Sequence, residues 1–224
     1  MPIEFLIFLT VFTPALVGGL NLIFNKNPNV RDTVTLLGAL ITFYFSANIF
    51  LGFDGQATQY KLATIMPGID ISFHIEPLGI VFSLLASGLW ILTHIYAIGY
   101  MRGAKEKNHS RFFFFFSVSI ASVMGISFSG NLFTLFLFYE ILTLITFPLV
   151  SHKGSNEALR GARVYLSILQ GTSIGLQLLG IIWIYFSVGT LDFVKGGILN
   201  GSFGSLELTL LVALFAFGIG KAAL

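Results

Sequence analysis

The stretch "NLFTLFLFYEILTLITFPLV", Asn131–Val150, is apolar at nearly every position, yet Glu140 sits at its middle. Twenty residues of helix rise about 30 Å, the thickness of a bilayer's hydrocarbon core. The rest of the chain has the same character. Of its 224 residues 55% are hydrophobic and 10% charged, whereas a soluble domain carries about 25% charged residues. The mean hydropathy is +0.89. Too few polar side chains remain to cover a globule, so the composition implies an all-α, polytopic integral membrane protein. A net charge of +2 with no basic stripe argues against nucleic-acid binding. The absence of cysteine excludes disulfides, thiol catalysis and thiolate metal sites.

Six apolar runs are long enough to cross: 3–24, 33–51, 78–99, 112–128, 132–150 and 164–187. A seventh begins near Leu206 and is still running at Leu224. Together they read as one transmembrane domain over 1–224. "NKNPN", "GFDGQ" and "HKGSN" punctuate the runs. "SFSGN" (Ser127–Asn131) separates the fourth from the fifth, and two spans fit the length better than one very long helix. The N-terminal run has Glu4 in place of a basic leader region and lacks a small-residue cleavage site before Asn25. It is expected to be a retained helix and not a signal peptide.

Loop charges set the orientation. Lys26, Arg31, Arg102, Lys105, Lys107, Arg111, Lys153, Arg160 and Arg163 fall on one side, and only Lys61 and Lys195 on the other. The positive-inside rule then places the N-terminus outside and the end of the seventh span inside. In the long second loop, Ile69, Ile71, Phe73 and Ile75 alternate with Asp70, Ser72 and His74, which predicts a short hairpin on the membrane surface.

A carboxylate near the centre of a spanning helix costs roughly 2.5–3.5 kcal/mol, so Glu140 is expected to face protein or water. Burial favours the protonated form of a carboxyl and a nearby cation favours the charged one; a group held between those pulls can exchange protons. The alternative is a structural polar contact. Lys221, in "FAFGIGKAAL", is the candidate partner. It lies about 22 Å along the seventh span, behind Gly218 and Gly220, which permit close packing or a break in the helix. The competing reading is a lysine that snorkels to an interface.

His94 could relay protons, but a lone histidine there is more often neutral and bonded to a neighbouring helix. Gln170 and Gln177, with Thr172, Ser173, Gly171 and Gly175, read as helix–helix glue that could also hold water for a relay. Thr143 lies three residues after Glu140 on the same face and could hydrogen-bond it. The sequence has no phosphate loop, metal-ligand cluster or Ser/His/Asp arrangement, and no site for haem, flavin or an iron–sulfur cluster is expected.

Three stretches resemble a known family: "FHIEPLGIVFSLLASGLWILTHIYAIGYM" (Phe73–Met101), "SGNLFTLFLFYEILTLITFPLVSH" (Ser129–His152) and "FGIGKAAL" (Phe217–Leu224). They are similar to the antiporter-like membrane subunits shared by Mrp-type multisubunit cation/proton antiporters and the proton-pumping arm of respiratory complex I. "FYEILTLITFPLVSH" is nearest the D-type antiporter subunit. The resemblance implies a transporter subunit in an energy-transducing membrane such as the bacterial plasma membrane. Translocase activity is implied only within a complex I-type assembly. It further implies that Glu140 and Lys221 form a coupled, jointly titrating pair, and that other membrane subunits are partners. Family members have about fourteen spans in two inverted repeats, with broken helices at spans seven and twelve. This chain matches the N-terminal half. A split gene with a second chain supplying the rest, a fragment, and a non-conducting remnant or structural subunit are the competing expectations. Alone, the chain is not expected to conduct protons.

Overall fold

The computed structural model describes residues 2–55, 59–199, 201 and 203–219. Seven helices form among them: α1 (Ile3–Ile23), α2 (Pro28–Gly52), α3 (Pro77–Gly103), α4 (His109–Ser127), α5 (Leu132–Val150), α6 (Asn156–Val188) and α7 (Ser205–Gly218). The first six are long and apolar enough to cross a membrane. Between α2 and α3 lies the expected hairpin, β1 (Gln59–Met66) and β2 (Ile69–His74), turning through Pro67 and Gly68.

Several helices run beyond the apolar stretches that announce them. α2 starts at Pro28, a residue preorganised for a first turn, so Arg31 and Asp32 lie inside the helix and not in a loop. α6 starts at Asn156, capped by the Ser155 hydroxyl, which accepts from Ala158 N at 3.1 Å. Glu157, Arg160 and Arg163 therefore ride on its first turns. Hydropathy marks where lipid begins; a helix continues past that point when its polar side chains find water or partners.

The chain divides into two compact units. The first, Met1–Thr58 with His74–Phe128, contains α1 to α4. Its polarity is inverted relative to a water-soluble bundle. α3 buries Ser83, Ser87, Trp90, His94 and Ala97, while Leu85, Leu89, Leu92 and Tyr96 are exposed. α2 buries Thr35, Gly38, Thr42 and Ser46 and exposes Leu37, Leu40, Ile41 and Tyr44. Most of the hidden hydroxyls bond carbonyls of their own helix, Thr42 to Gly38 at 2.8 Å and Ser87 to Ser83 at 2.7 Å, whereas Ser46 Oγ has no partner among the described residues. Those that bond back carry no unsatisfied donor into the interior. Small residues allow close approach: a Cβ at Gly38 would overlap the Val17 side chain. Large apolar groups outside and small polar ones inside suit hydrocarbon surroundings and not water. The protein is an integral membrane protein.

The second unit, Gln59–Phe73 with Ser129–Leu224, contains the hairpin and α5 to α7. Its organising segment is Ser129–Asn131. Ser129 bridges Phe73 and Asn131 bridges Asp192, so this short connector is held as a strand on both sides. The Asn131 side chain caps α5, accepting from Thr134 N at 2.7 Å, and donates to Asp70 O and Ser72 Oγ, each at 2.8 Å. Ser72 N donates to Thr134 Oγ1 at 3.0 Å. At the turn, Gly68 has φ +79° and Tyr185 of α6 donates its hydroxyl to Pro67 O at 2.7 Å. Lys61, hydrogen-bonded to Asp70 at 2.5 Å, and the Thr64 hydroxyl hold the Asp70 carboxyl below the usual carboxylate range.

Asn131→Ala removes the cap, leaves the buried Ser72 hydroxyl without its donor and leaves Asp70 O with only the longer bond from Thr134 Oγ1 at 3.3 Å. The expected loss is on the order of 2–4 kcal/mol, measured as a lowered thermal midpoint in detergent. Asn131→Asp keeps the capping oxygen and is expected to recover part of it; full stability of the alanine variant would contradict this account.

Candidate functional site

The cap at Asn131 sets where α5 starts, and Glu140 follows eight residues after Leu132, about 12 Å up a helix roughly 28 Å long. Glu140 is half-buried and turned toward α6, where Gln170 Nε2 donates to its Oε2 at 2.5 Å. The other oxygen, Glu140 Oε1, is buried with no hydrogen-bond partner among the described residues, and so is Gln170 Oε1. A short way along the same two helices, Thr146 and the Tyr165 hydroxyl approach to 3.5 Å.

Thr143 does not bond Glu140. It is buried and donates to Tyr139 O of its own helix at 3.0 Å. The i, i+3 spacing puts the two on one face, but a threonine in a helix reaches the preceding carbonyl more easily.

Just past Gln170, α6 widens into a π segment, Ser173–Gln177. Thr172 and Ser173 bond back to Ile168 O and Leu169 O, at 3.0 and 2.8 Å. Such bonds compete with the α ladder, and glycines at 171 and 175 add little resistance. The wider turn shifts the face that follows by roughly a quarter turn. Gln170 and Gln177, two turns apart, therefore serve different neighbours. Gln170 meets α5, whereas Gln177, 2% exposed, lies against the end of α7. There a Cβ on Gly218 would stand 2.6 Å from Gln177 N, so the two backbones are in contact and position 218 admits only glycine. Gln177 Oε1 is a third buried acceptor without a partner among the described residues. The regular helix of α7 ends at Gly218, and Ile219 has left helical geometry with φ −89° and ψ 57°. Lys221 lies outside the described residues.

His94 belongs to the first unit. It is fully buried, its Nε2 donates to the Asp32 carbonyl at 3.0 Å, and its ring meets Phe113 edge-on at 4.9 Å. This is the bond to a neighbouring helix that the sequence leads one to expect, and Nδ1 is left without a partner among the described residues. Beside it is a cluster that the loop-charge count passed over. Arg31 donates from Nε and Nη2 to Asp32 Oδ1, at 2.8 and 2.6 Å. Arg102 of α3 donates to Asp32 Oδ2 at 2.5 Å and to Asn29 at 3.0 Å. Arg31 also reaches Ser110 of α4 at 3.3 Å and lies 5.1 Å from the Phe113 ring. The sequence signal was an Arg-Asp pair directly ahead of an apolar run, in a place where opposite charges can neutralise each other inside a helix. Among the described residues no group of three or more His, Asp or Glu could hold a metal ion.

Two family models match the chain. One, described as "NADH-Ubiquinone oxidoreductase (complex I), chain 5 N-terminus", matches residues 66–113. The other, "NADH:quinone oxidoreductase/Mrp antiporter, TM", matches residues 129–224 and so includes Glu140, Gln170, Gln177 and Lys221. Among curated relatives, the "Putative antiporter subunit mnhD2" of Staphylococcus epidermidis is 33% identical over 98% of this chain and 44% of its own length. The D-type subunit of the Na(+)/H(+) antiporter of Alkalihalophilus pseudofirmus is 25% identical over 91% of this chain and 40% of its own. The chain thus spans less than half the length of these relatives. A subunit of an archaeal respiratory membrane complex, the membrane-bound sulfane sulfur reductase, shares the fold with a TM-score of 0.78 at 20% identity, over 96% of this chain and 43% of that one. With matches over residues 66–113 and 129–224 and a relative 33% identical over 98% of this sequence, the chain belongs to the family of antiporter-like membrane subunits that Mrp-type cation/proton antiporters share with the membrane arm of complex I.

Proposed function

We propose that this chain is part of a proton-translocating subunit of a multisubunit cation/proton antiporter, with Na+ as the exchanged cation. Glu140 and Lys221 pass protons near mid-membrane as a coupled pair. The observation that carries the reading is the orientation of Glu140. A carboxyl at the centre of an apolar helix turns toward protein, is bonded by an amide, and keeps one oxygen open. An acid placed there only to tie two helices would gain from having both oxygens filled. Both curated relatives support the antiporter assignment, and the Na(+)/H(+) antiporter subunit of Alkalihalophilus pseudofirmus supports the choice of Na+. In this reading the ammonium of Lys221 gives up its proton when Glu140 is neutral or withdrawn and retains it when Glu140 is charged and near. His94, Gln170, Gln177 and Thr143 are the secondary candidates. Of these, Gln170 bonds Glu140 and Gln177 lies against the end of α7.

The subunit acts with other membrane subunits, and with whatever chain or segment supplies the remaining half of the family's length. A second reading is supported by the complex I description of residues 66–113: a proton-pumping subunit of a complex I-type oxidoreductase. Copurification of NADH-oxidising subunits would select it.

Lys221→Arg tests the pair. Guanidinium keeps its proton throughout the physiological range, so exchange in membrane vesicles holding the assembled complex is expected to vanish while assembly is retained. Exchange at the unsubstituted rate would remove Lys221 from the mechanism.

A further inference from the structure

We propose that Glu140 and Gln170 together form a proton-binding site, in which one proton on Glu140 Oε1 is shared with Gln170 Oε1. The inference deepens the role given to Glu140 above and rests on that reading for its place in transport. Its own basis is the pattern of filled and unfilled atoms. An ionised carboxylate only accepts hydrogen bonds; an amide donates through nitrogen and accepts through oxygen. One edge of the pair is already joined, Nε2 to Oε2 at 2.5 Å. Each head group has one further oxygen, and both of these oxygens are buried with no partner among the described residues. Two acceptors cannot satisfy each other. A single added proton turns one of them into a donor and fills both.

The step balances simply. Hydronium from the aqueous phase transfers its proton to Glu140 Oε1 and leaves water. The new O–H donates to Gln170 Oε1, the bond from Nε2 to Oε2 is retained, and the carboxyl becomes neutral. The charged form thus has one hydrogen bond to Gln170 and the loaded form has two, closed in a ring. Buried unfilled acceptors are costly, so the glutamine makes proton loading possible without a charged partner. A leucine at position 170 would supply neither bond. A glutamate would supply no N–H.

Other charged or titratable groups on the packed elements are placed elsewhere. Arg163, Arg160 and Glu157 lie about two turns or more ahead of Gln170 on α6. Tyr165 meets Thr146, and Glu207 accepts from Gly204 N at the start of α7. Lys221 is outside the described residues, and its ammonium is the charged partner for the unloaded state in the reading above.

Infrared difference spectroscopy across a pH titration tests the site on the full chain in its complex, reconstituted in lipid vesicles. The carboxylic C=O band of protonated Glu140 is identified by its loss in Glu140→Gln. In Gln170→Leu that band is expected at higher wavenumber, where a less strongly bonded acid absorbs. The amide C=O shift that accompanies proton loading is expected to disappear. If Gln170→Leu fails to assemble, Gln170→Met, of the same length without polar atoms, gives the same comparison. An acid band at the same wavenumber with and without Gln170, or no protonated Glu140 at any pH, overturns the proposal. The transport reading fails separately: if exchange survives Glu140→Gln while Gln170→Leu still shifts the acid band of Glu140, a proton site remains without a transport role.

Discussion

Glu140→Ala is expected to abolish cation/proton exchange in vesicles holding the assembled complex, while every subunit still copurifies. Both halves of this expectation follow from the placement of Glu140. Its carboxyl is mid-span, where the ionised form costs roughly 2.5–3.5 kcal/mol in lipid. Alanine removes that cost together with one hydrogen bond to Gln170, so the net effect on stability is small. The helix start is set elsewhere, at Asn131, and does not depend on position 140. What is lost, on the proposed function, is the group that gains and releases a proton. Glu140→Gln separates this role from that of a tie between helices. An amide can still accept from Gln170, so a tie would keep exchange, whereas a proton carrier would lose it. Exchange at the unsubstituted rate in Glu140→Gln would assign Glu140 to packing alone.

The second large effect is expected in the first unit. Asp32→Ala should destabilise it by about 3–5 kcal/mol, the cost of breaking a buried ion pair from one side. The Arg31 and Asp32 side chains are 3% and 6% exposed, so Arg31 would be left charged, buried and without its carboxylate. Arg102, 45% exposed, can turn to water and contributes little to the loss. Three helices would lose a common fastening, because Asp32 on α2 also joins Arg102 on α3 and, through Arg31, Ser110 on α4. Denaturant unfolding in detergent measures the effect. Asp32→Asn, which keeps an acceptor, should fall between the two. Replacing Arg31 by Met together with Asp32→Ala should restore much of the stability, since the orphaned charge is then gone. An Asp32→Ala protein as stable as the unsubstituted one would show that water reaches the cluster.

Much of the fold could be read in the residues, because lipid imposes a simple code. The run Leu132–Val150 is both the apolar stretch and the helix, and the alternation over Ile69–Ile75 marks β2. What hydropathy missed was polar continuation. Arg31, Asp32 and the first turns of α6 are helical because their charges are neutralised or solvated, and a scale that treats each charge alone counts them as loop. At the site, Glu140 was conspicuous for being a carboxylate among apolar residues. Its bond to Gln170 was less visible. Gln170 and Gln177 are seven residues apart and would share a face on a straight helix. Only the π segment separates them, and nothing in the composition of "GTSIGLQ" distinguishes a widened turn from an ordinary one.

That widened turn makes the phase of α6 depend on counting. Upstream of Ser173 the helix is aligned by Glu140, downstream by Gly218, and one surplus residue reconciles the two. Remove any single residue between 173 and 177 and the helix can close into ordinary geometry with all its backbone bonds made. It could then keep its appointment with α5 or with α7, but not with both.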